Sequence, residues 1–309
     1  MRKQLAPVPY PTAREPATTD HARKRYRPKR FNLSSLGAMT FLFVFAMYFL
    51  APYFWLVVSA TKTGRDLVTT FGLWFAPHFN LFANLQLVFT IDHSIFVQWL
   101  LNTLIYAGVG SLLGTLLAAM AGYALAKYVF RGRDLIFSAV LGAILVPSTA
   151  LALPLYLLMS KVGLTNTYWA VLLPSIVSPF GVYLSRIYAG ASVPDELLEA
   201  ARIDGAGEFR TFATVAMRLM VPALVTILLF QFVAIWNNYF LPLVMLSDQK
   251  LFPITVGLQT WNVTTGGANK FLYTLIIAGA LVSSIPLLFG CIILQRFWRG
   301  GLGAGSVKG

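Results

Sequence analysis

The chain has 309 residues, of which 57% are hydrophobic and only 11% charged, and its mean hydropathy is +0.70. A soluble domain carries about 25% charged residues, so this composition excludes an ordinary soluble globular protein and predicts an all-α, polytopic membrane protein. The net charge of +13 does not indicate nucleic-acid binding, because the basic residues flank apolar runs in a one-sided pattern.

Residues 1–30 are rich in Pro and Arg, hold nine of the 24 Lys and Arg residues and show no apolar periodicity. They are expected to form a disordered cytoplasmic arm that touches anionic lipid. Six runs then lack Asp, Glu, Lys, Arg and His: 31–61, 94–126, 135–160, 162–185, 219–247 and 271–295. Each exceeds the roughly 20 residues that cross about 30 Å of hydrocarbon. They predict six transmembrane helices at about 36–59, 99–125, 135–158, 166–188, 219–241 and 271–294. The first is too long for the apolar core of a cleavable signal. Between the first two spans, residues 60–95 carry Gly72, Trp74, Phe75 and Pro77 and are expected to form a small surface cap. Pro147 and Pro154 in the third span, and Pro174 and Pro179 in the fourth, are expected to kink their helices.

Several chemistries lack their residues. Cys291 stands alone, and His21, His78 and His93 have no ligand-like spacing, so neither a disulfide nor a metal site is expected. The six apolar runs hold no Asp, Glu, Lys, Arg or His, whereas a proton- or sodium-coupled carrier ordinarily needs a charged group at bilayer depth. No phosphate-binding loop of the G-x-x-x-x-G-K-[ST] type is present, and no inverted repeat is visible. If the chain transports actively, another polypeptide supplies the energy.

The exception to the apolar pattern is ELLEAARIDGAGEFRTF, residues 196–212, with six charges in 17 residues. With the preceding SVPD it reads as a short helix. Pro194 suits a first turn, Asp195 and Glu196 suit the positive end of the helix dipole, and Gly205 can close the helix in a left-handed conformation. A second helix then starts near Gly207 and enters span five, which Pro222 bends. The whole, residues 193–218, is a helix–glycine–helix elbow. These features fit either a solvated amphipathic loop or a joint that receives another protein.

EAARIDGAGEFRTF resembles the EAA loop of permease subunits of binding-protein-dependent ABC importers, whose pattern is E-A-A, three residues, then G. Glu199, Ala200, Ala201 and Gly205 match it; Arg218 stands where the family often has proline, with Pro222 four residues on. NTLIYA (102–107), GYALAKYVFRGRD (122–134), LPLYLLMSKVGLTNTYWAVLLP (153–174) and QRFWRGGLGAGSVKG (295–309) are similar to the carbohydrate branch. Among its members they resemble most the maltose-type permease with six spans. The resemblance covers residues 31–309 and implies a sugar or oligosaccharide importer half, with no enzymatic chemistry of its own. It implies as partners a second homologous permease, an ATPase dimer that binds ATP and Mg, and an extracytoplasmic solute-binding protein, in a bacterial or archaeal cell membrane. Glu199, Ala200, Ala201, Asp204, Gly205 and Glu208 would then couple to the ATPase. The cytoplasmic tail 295–309, with Gly305, Ser306 and Lys308, would reach into the ATPase dimer. An importer of a non-sugar solute, or a secondary carrier, is the alternative.

Polar groups in the spans are the candidate substrate pathway. Asn237 and Asn238 would hydrogen-bond sugar hydroxyls while Trp236 stacks on a sugar face; Gln231 and Tyr156 are further candidates. A belt of interfacial aromatics with polar caps explains Trp236, Asn237 and Asn238 equally well, and in the maltose system the partner permease supplies most sugar contacts. The loops 60–95 and 248–270 are expected to meet the binding protein, the second through Trp261 as an aromatic anchor; the alternative is a simple solvated connector. GGLGAGSVKG is too glycine-rich to form a stable helix by itself.

With six spans, the arm, the loops after spans two and four and the tail share one side and hold 19 of the 24 basic residues. The positive-inside rule then places both termini in the cytoplasm. Reporter fusions after residues 30 and 309 are expected to read inside; an external C-terminus would mean an odd number of spans.

Overall fold

The computed structural model describes residues 33–265 and 270–304, and every regular element among them is helical. The arm at 1–30 and Gly305, Ser306 and Lys308 lie outside the described residues. The chain divides into one unit ending at Leu50 and a second beginning at Ala51; helix α1 (Leu33–Ala60) runs across this boundary. From Leu36 to Leu50 every side chain is exposed. A helix that is apolar on all sides suits lipid or another protein, not water.

The second unit is built from α2 (Leu81–Thr90), α3 (Ile95–Lys127), α4 (Arg133–Leu145), α5 (Ser148–Lys161), α6 (Tyr168–Ser175) and α7 (Pro179–Ser192). The elbow helix α8 (Asp195–Ile203), α9 (Glu208–Trp236), α10 (Phe240–Met245), α11 (Ile254–Thr265) and α12 (Lys270–Ala304) complete it. Among the described residues five segments are long and apolar enough to cross a membrane, and the pair α4 and α5 makes a sixth if it is one span. The chain is a multi-pass, all-α membrane protein.

Two expected spans are not single helices. The third breaks between Leu145 and Ser148 and bends by 106°. Val146 is extended because the ring of Pro147 disfavours helical backbone in the residue before it; Pro154 stays inside α5. The fourth is interrupted at 176–178. There Ser178 caps α7, accepting from the Gly181 amide at 3.2 Å, and the Gln231 amide donates to the Ser175 carbonyl at 2.9 Å. The helix entering the fifth span passes Arg218 without a break and relaxes only in a π turn over Phe212–Ala216. Glycines 300, 301 and 303 lie within α12, which continues from the last span rather than forming by itself. An existing helix only has to propagate through them, at about 1 kcal/mol per glycine, and need not nucleate.

Helix α3 is the centre of the packing and lies chiefly against α7 and α9. The contact is possible because Gly110, Gly114 and Gly122 recur on one face with Ala118 between them. A Cβ on Gly114 would fall on the Gln231 amide, and one on Gly122 would lie 2.7 Å from the Arg186 backbone nitrogen. Small residues let backbones approach where lipid offers no hydrophobic drive between helices.

At the end of α3 away from the elbow, its side chains hold the connector into α11. The Asn102 amide donates to the carbonyls of Lys250 (2.7 Å) and Phe252 (3.0 Å), Tyr106 donates to Leu251, and Thr103 accepts from the Ile254 amide. Residues 248–265 are therefore fastened to the bundle. Trp261 is only 6% exposed, with its ring 4.8 Å from Trp99 and 6.1 Å from Phe96, which corrects the expectation of an aromatic anchor. Residues 60–80 fold back on themselves. The Lys62 ammonium donates to the Phe71 carbonyl at 2.7 Å, and the Asn84 amide donates to the Ala60 and Lys62 carbonyls.

The seam of α3 can be tested directly. Gly122→Leu and Gly114→Val are expected to cost about 1–3 kcal/mol through overpacking. Gly108→Ala, whose added carbon meets nothing within 4 Å, is expected to melt like the parent. Thermal unfolding in detergent reads the difference, and equal melting of all three would refute a tight seam.

Candidate functional site

The elbow is built from α8, a left-handed glycine and the start of α9. Gly205 has φ +77°, and a Cβ there would meet no atom within 4 Å, so backbone conformation and not space demands glycine. The amides of Asp204, Gly205 and Ala206 donate to the carbonyls of Ala200, Arg202 and Ala201, closing the last turn of α8. Asp195 and Glu196 occupy its first turn.

One side of the elbow is fastened to the bundle. Leu198 is buried in a cluster with Tyr123 of α3, Ala189 and Val193 of the α7 end, and Phe212 and Met220 of α9. Lys127, at the end of α3, pairs with Asp195 at 2.8 Å. Glu208 bridges both halves. It accepts from Arg202 through two nitrogens, at 2.8 and 3.3 Å, and from the Tyr128 hydroxyl at 2.5 Å. Burial, and then the bond to Glu208, push the Tyr128 phenol well above its ordinary pKa, so it stays a protonated donor at any working pH.

The other side is open. Glu199, Ala200, Asp204 and Gly205 are exposed and Ala201 is half-buried. Ile203 is 86% and Phe209 73% exposed. Two large apolar side chains thus stand exposed on either side of a charged turn. Neither was singled out in the sequence, where each looks like core; Ile203 lies on the face of α8 away from Leu198, and Phe209 in the first turn of α9.

The candidate pathway residues are not gathered into one site. Trp236 is 3% exposed and packs on Phe232 with ring centres 5.5 Å apart, leaving no face for a ligand. Gln231 is buried, its amide engaged with Ser175 at the helix break. Asn237 turns back to the Val233 carbonyl. Asn238 caps the following turn through the Leu241 amide, and its carbonyl accepts from Thr255. Tyr156 lies on the exposed surface of α5.

The described residues thus form a helical membrane bundle closed by a glycine seam and carrying a fastened, exposed polar elbow. Residues 110–299 match the family of binding-protein-dependent transport system inner membrane components, and the chain belongs to that family. It is 36% identical to an arabinooligosaccharide transport system permease of Halalkalibacterium halodurans, over 90% of this chain and 97% of that one. It is 29% identical to a lactose transport system permease of Rhizobium radiobacter, over 92% and 98%. The fold is similar to that of a bacterial ABC transporter involved in import of the acidic polysaccharide alginate. That likeness has a TM-score of 0.76 at 23% identity, over 87% of this chain and 99% of the other.

Proposed function

We propose that this chain forms half of the translocation pathway of an ATP-driven importer for a sugar or oligosaccharide, and that the elbow couples it to a separate ATPase. The observation that carries this reading is the two-sided elbow: Leu198, Asp195 and Glu208 fix it to α3 and α9, while Ile203 and Phe209 remain uncovered. A loop needed only to connect two spans has no use for either property. A push on Ile203 or Phe209 reaches α3 through Leu198 and the Asp195 and Glu208 contacts, and reaches α7 and α9 through the seam. ATP-driven closure of the motor would open the cavity outward, and hydrolysis would reset it.

The elbow end collects Lys127, Arg131, Arg133, Arg186, Arg202, Arg210 and Arg218, which supports a cytoplasmic position for it. A second permease, an ATPase dimer holding ATP and Mg, and an extracytoplasmic binding protein complete the proposed assembly. Glu199, Ala200, Ala201, Asp204 and Gly205 lie along the docking surface, and Gly305, Ser306 and Lys308 would extend it. The named sugars of the relatives support the carbohydrate class.

The test uses the ATPase that co-purifies with the tagged chain from its native membranes. Ile203→Ser and Phe209→Ser touch exposed positions, where folding costs are within about 0.5 kcal/mol. They are expected to keep normal membrane levels and to lose ATPase association at least roughly tenfold, as for apolar hot spots. Gly205→Pro, which forbids positive φ, is expected to lose it as well. Full retention by both serine variants, or no ATPase with the parent chain, would overturn the reading.

A further inference from the structure

A cavity of about 650 Å³ opens where the last turns of α1 meet the beginning of α10, α11 and α12. Three aromatic side chains border it: Trp55, 39% exposed, Tyr239, 36%, and Tyr273, 49%. Among the described residues no hydrogen bond engages the Trp55 indole N–H or the hydroxyls of Tyr239 and Tyr273. The amide side chains of Gln259 and Asn262 and the hydroxyl of Thr255 add neutral polar groups, and among the described residues no Asp, Glu, Lys, Arg or His lines the cavity.

From this geometry we infer that the cavity is a vestibule subsite for a neutral oligosaccharide, a contact of this permease half with its cargo. The inference rests on the importer reading above. Sugars present apolar C–H faces and hydroxyl edges, and the wall supplies flat aromatic faces with donors at their rims. Its volume falls within the range of roughly 300–1,000 Å³ typical of small-ligand sites. Among the described residues the lining holds no Lys or Arg, the groups that hold an acidic saccharide or a phospholipid headgroup, which favours a neutral occupant. The site is also anchored: Thr255 donates to the Asn238 carbonyl at 2.8 Å, and the connector before α11 is held by Asn102 and Tyr106. The tract WNNYF thus contributes Tyr239 to the cavity, whereas Trp236 goes to the core.

The complex purified with its co-purifying ATPase is photolabelled with diazirine derivatives of lactose and of arabinotriose, and labelled peptides are mapped. The expected labels fall within 255–262 and 273–280 and are displaced by excess unlabelled neutral sugar but not by alginate oligosaccharide. Tyr239→Phe, Gln259→Leu and Trp55→Leu are expected to weaken displacement roughly three- to tenfold each, the loss of one contact. Unlabelled peptides in a preparation that retains its ATPase would overturn the vestibule and leave the importer reading standing; absence of the ATPase would remove both. Equal displacement by alginate, or labelling by a diazirine phosphatidylglycerol and not by the sugars, would overturn the neutral-saccharide assignment.

Discussion

The structure depends on the absence of side chains at three positions of α3. Gly110, Gly114 and Gly122 bring its backbone against Ile235 and Gln231 of α9 and Ser185 of α7; a methyl group would meet backbone at Gly114 and Gly122, and at Gly110 would push aside the Ile235 side-chain end. In lipid this contact must come from packing, because apolar side chains gain nothing by leaving hydrocarbon for one another. The seam makes α3, α7 and α9 a single block. The rest of the second unit attaches to that block: the connector into α11 through Asn102, Thr103 and Tyr106, and the elbow through Tyr123, Lys127 and Tyr128.

Polar side chains do different work at the two ends of α3. Away from the elbow they satisfy backbone carbonyls and an amide of a non-helical connector, which in an apolar setting would be costly to leave unpaired. At the elbow end they reach across water-exposed ion pairs, where each contact is weak alone and the buried Leu198 supplies the firm attachment. The elbow is thereby held without being enclosed, and Ile203 and Phe209 stay exposed. Its glycine sets the angle between the two halves, and Glu208 ties them through Arg202.

Much of this was legible in the sequence. Charge-free runs mark the spans because every charge at bilayer depth is costly. Pro194, Asp195 and Gly205 punctuate the elbow because each has a conformational or electrostatic preference that acts locally. Positions that depend on tertiary neighbours were not legible. Pro147 breaks a span while Pro154, Pro174, Pro222 and Pro286 lie inside helices, and the difference lies in which neighbours accept the freed backbone groups. Trp236 and Trp261 carry the same chemistry as Trp55, yet the first two are core and the third borders a cavity. No local pattern separates them, because burial of an aromatic ring is decided by elements far away in the chain. The same holds for Ile203, left exposed where Leu198 takes the inward face of α8, and for Phe209, left exposed where Phe212 faces inward.

The central claim is that the elbow and the α3 block move as one body when the motor turns over. Spin labels at Glu196 on the elbow and Leu112 on α3, with Cys291 replaced, would report the distance between them in the assembled complex. Pulsed electron–electron resonance is recorded without nucleotide and with a non-hydrolysable ATP analogue. A rigid attachment predicts one narrow distribution whose mean stays within about 2 Å, the scale of small helix shifts. A nucleotide-dependent change of about 5 Å or more, the scale of a one-turn ratchet, would show the elbow swinging free of the bundle and would contradict the account.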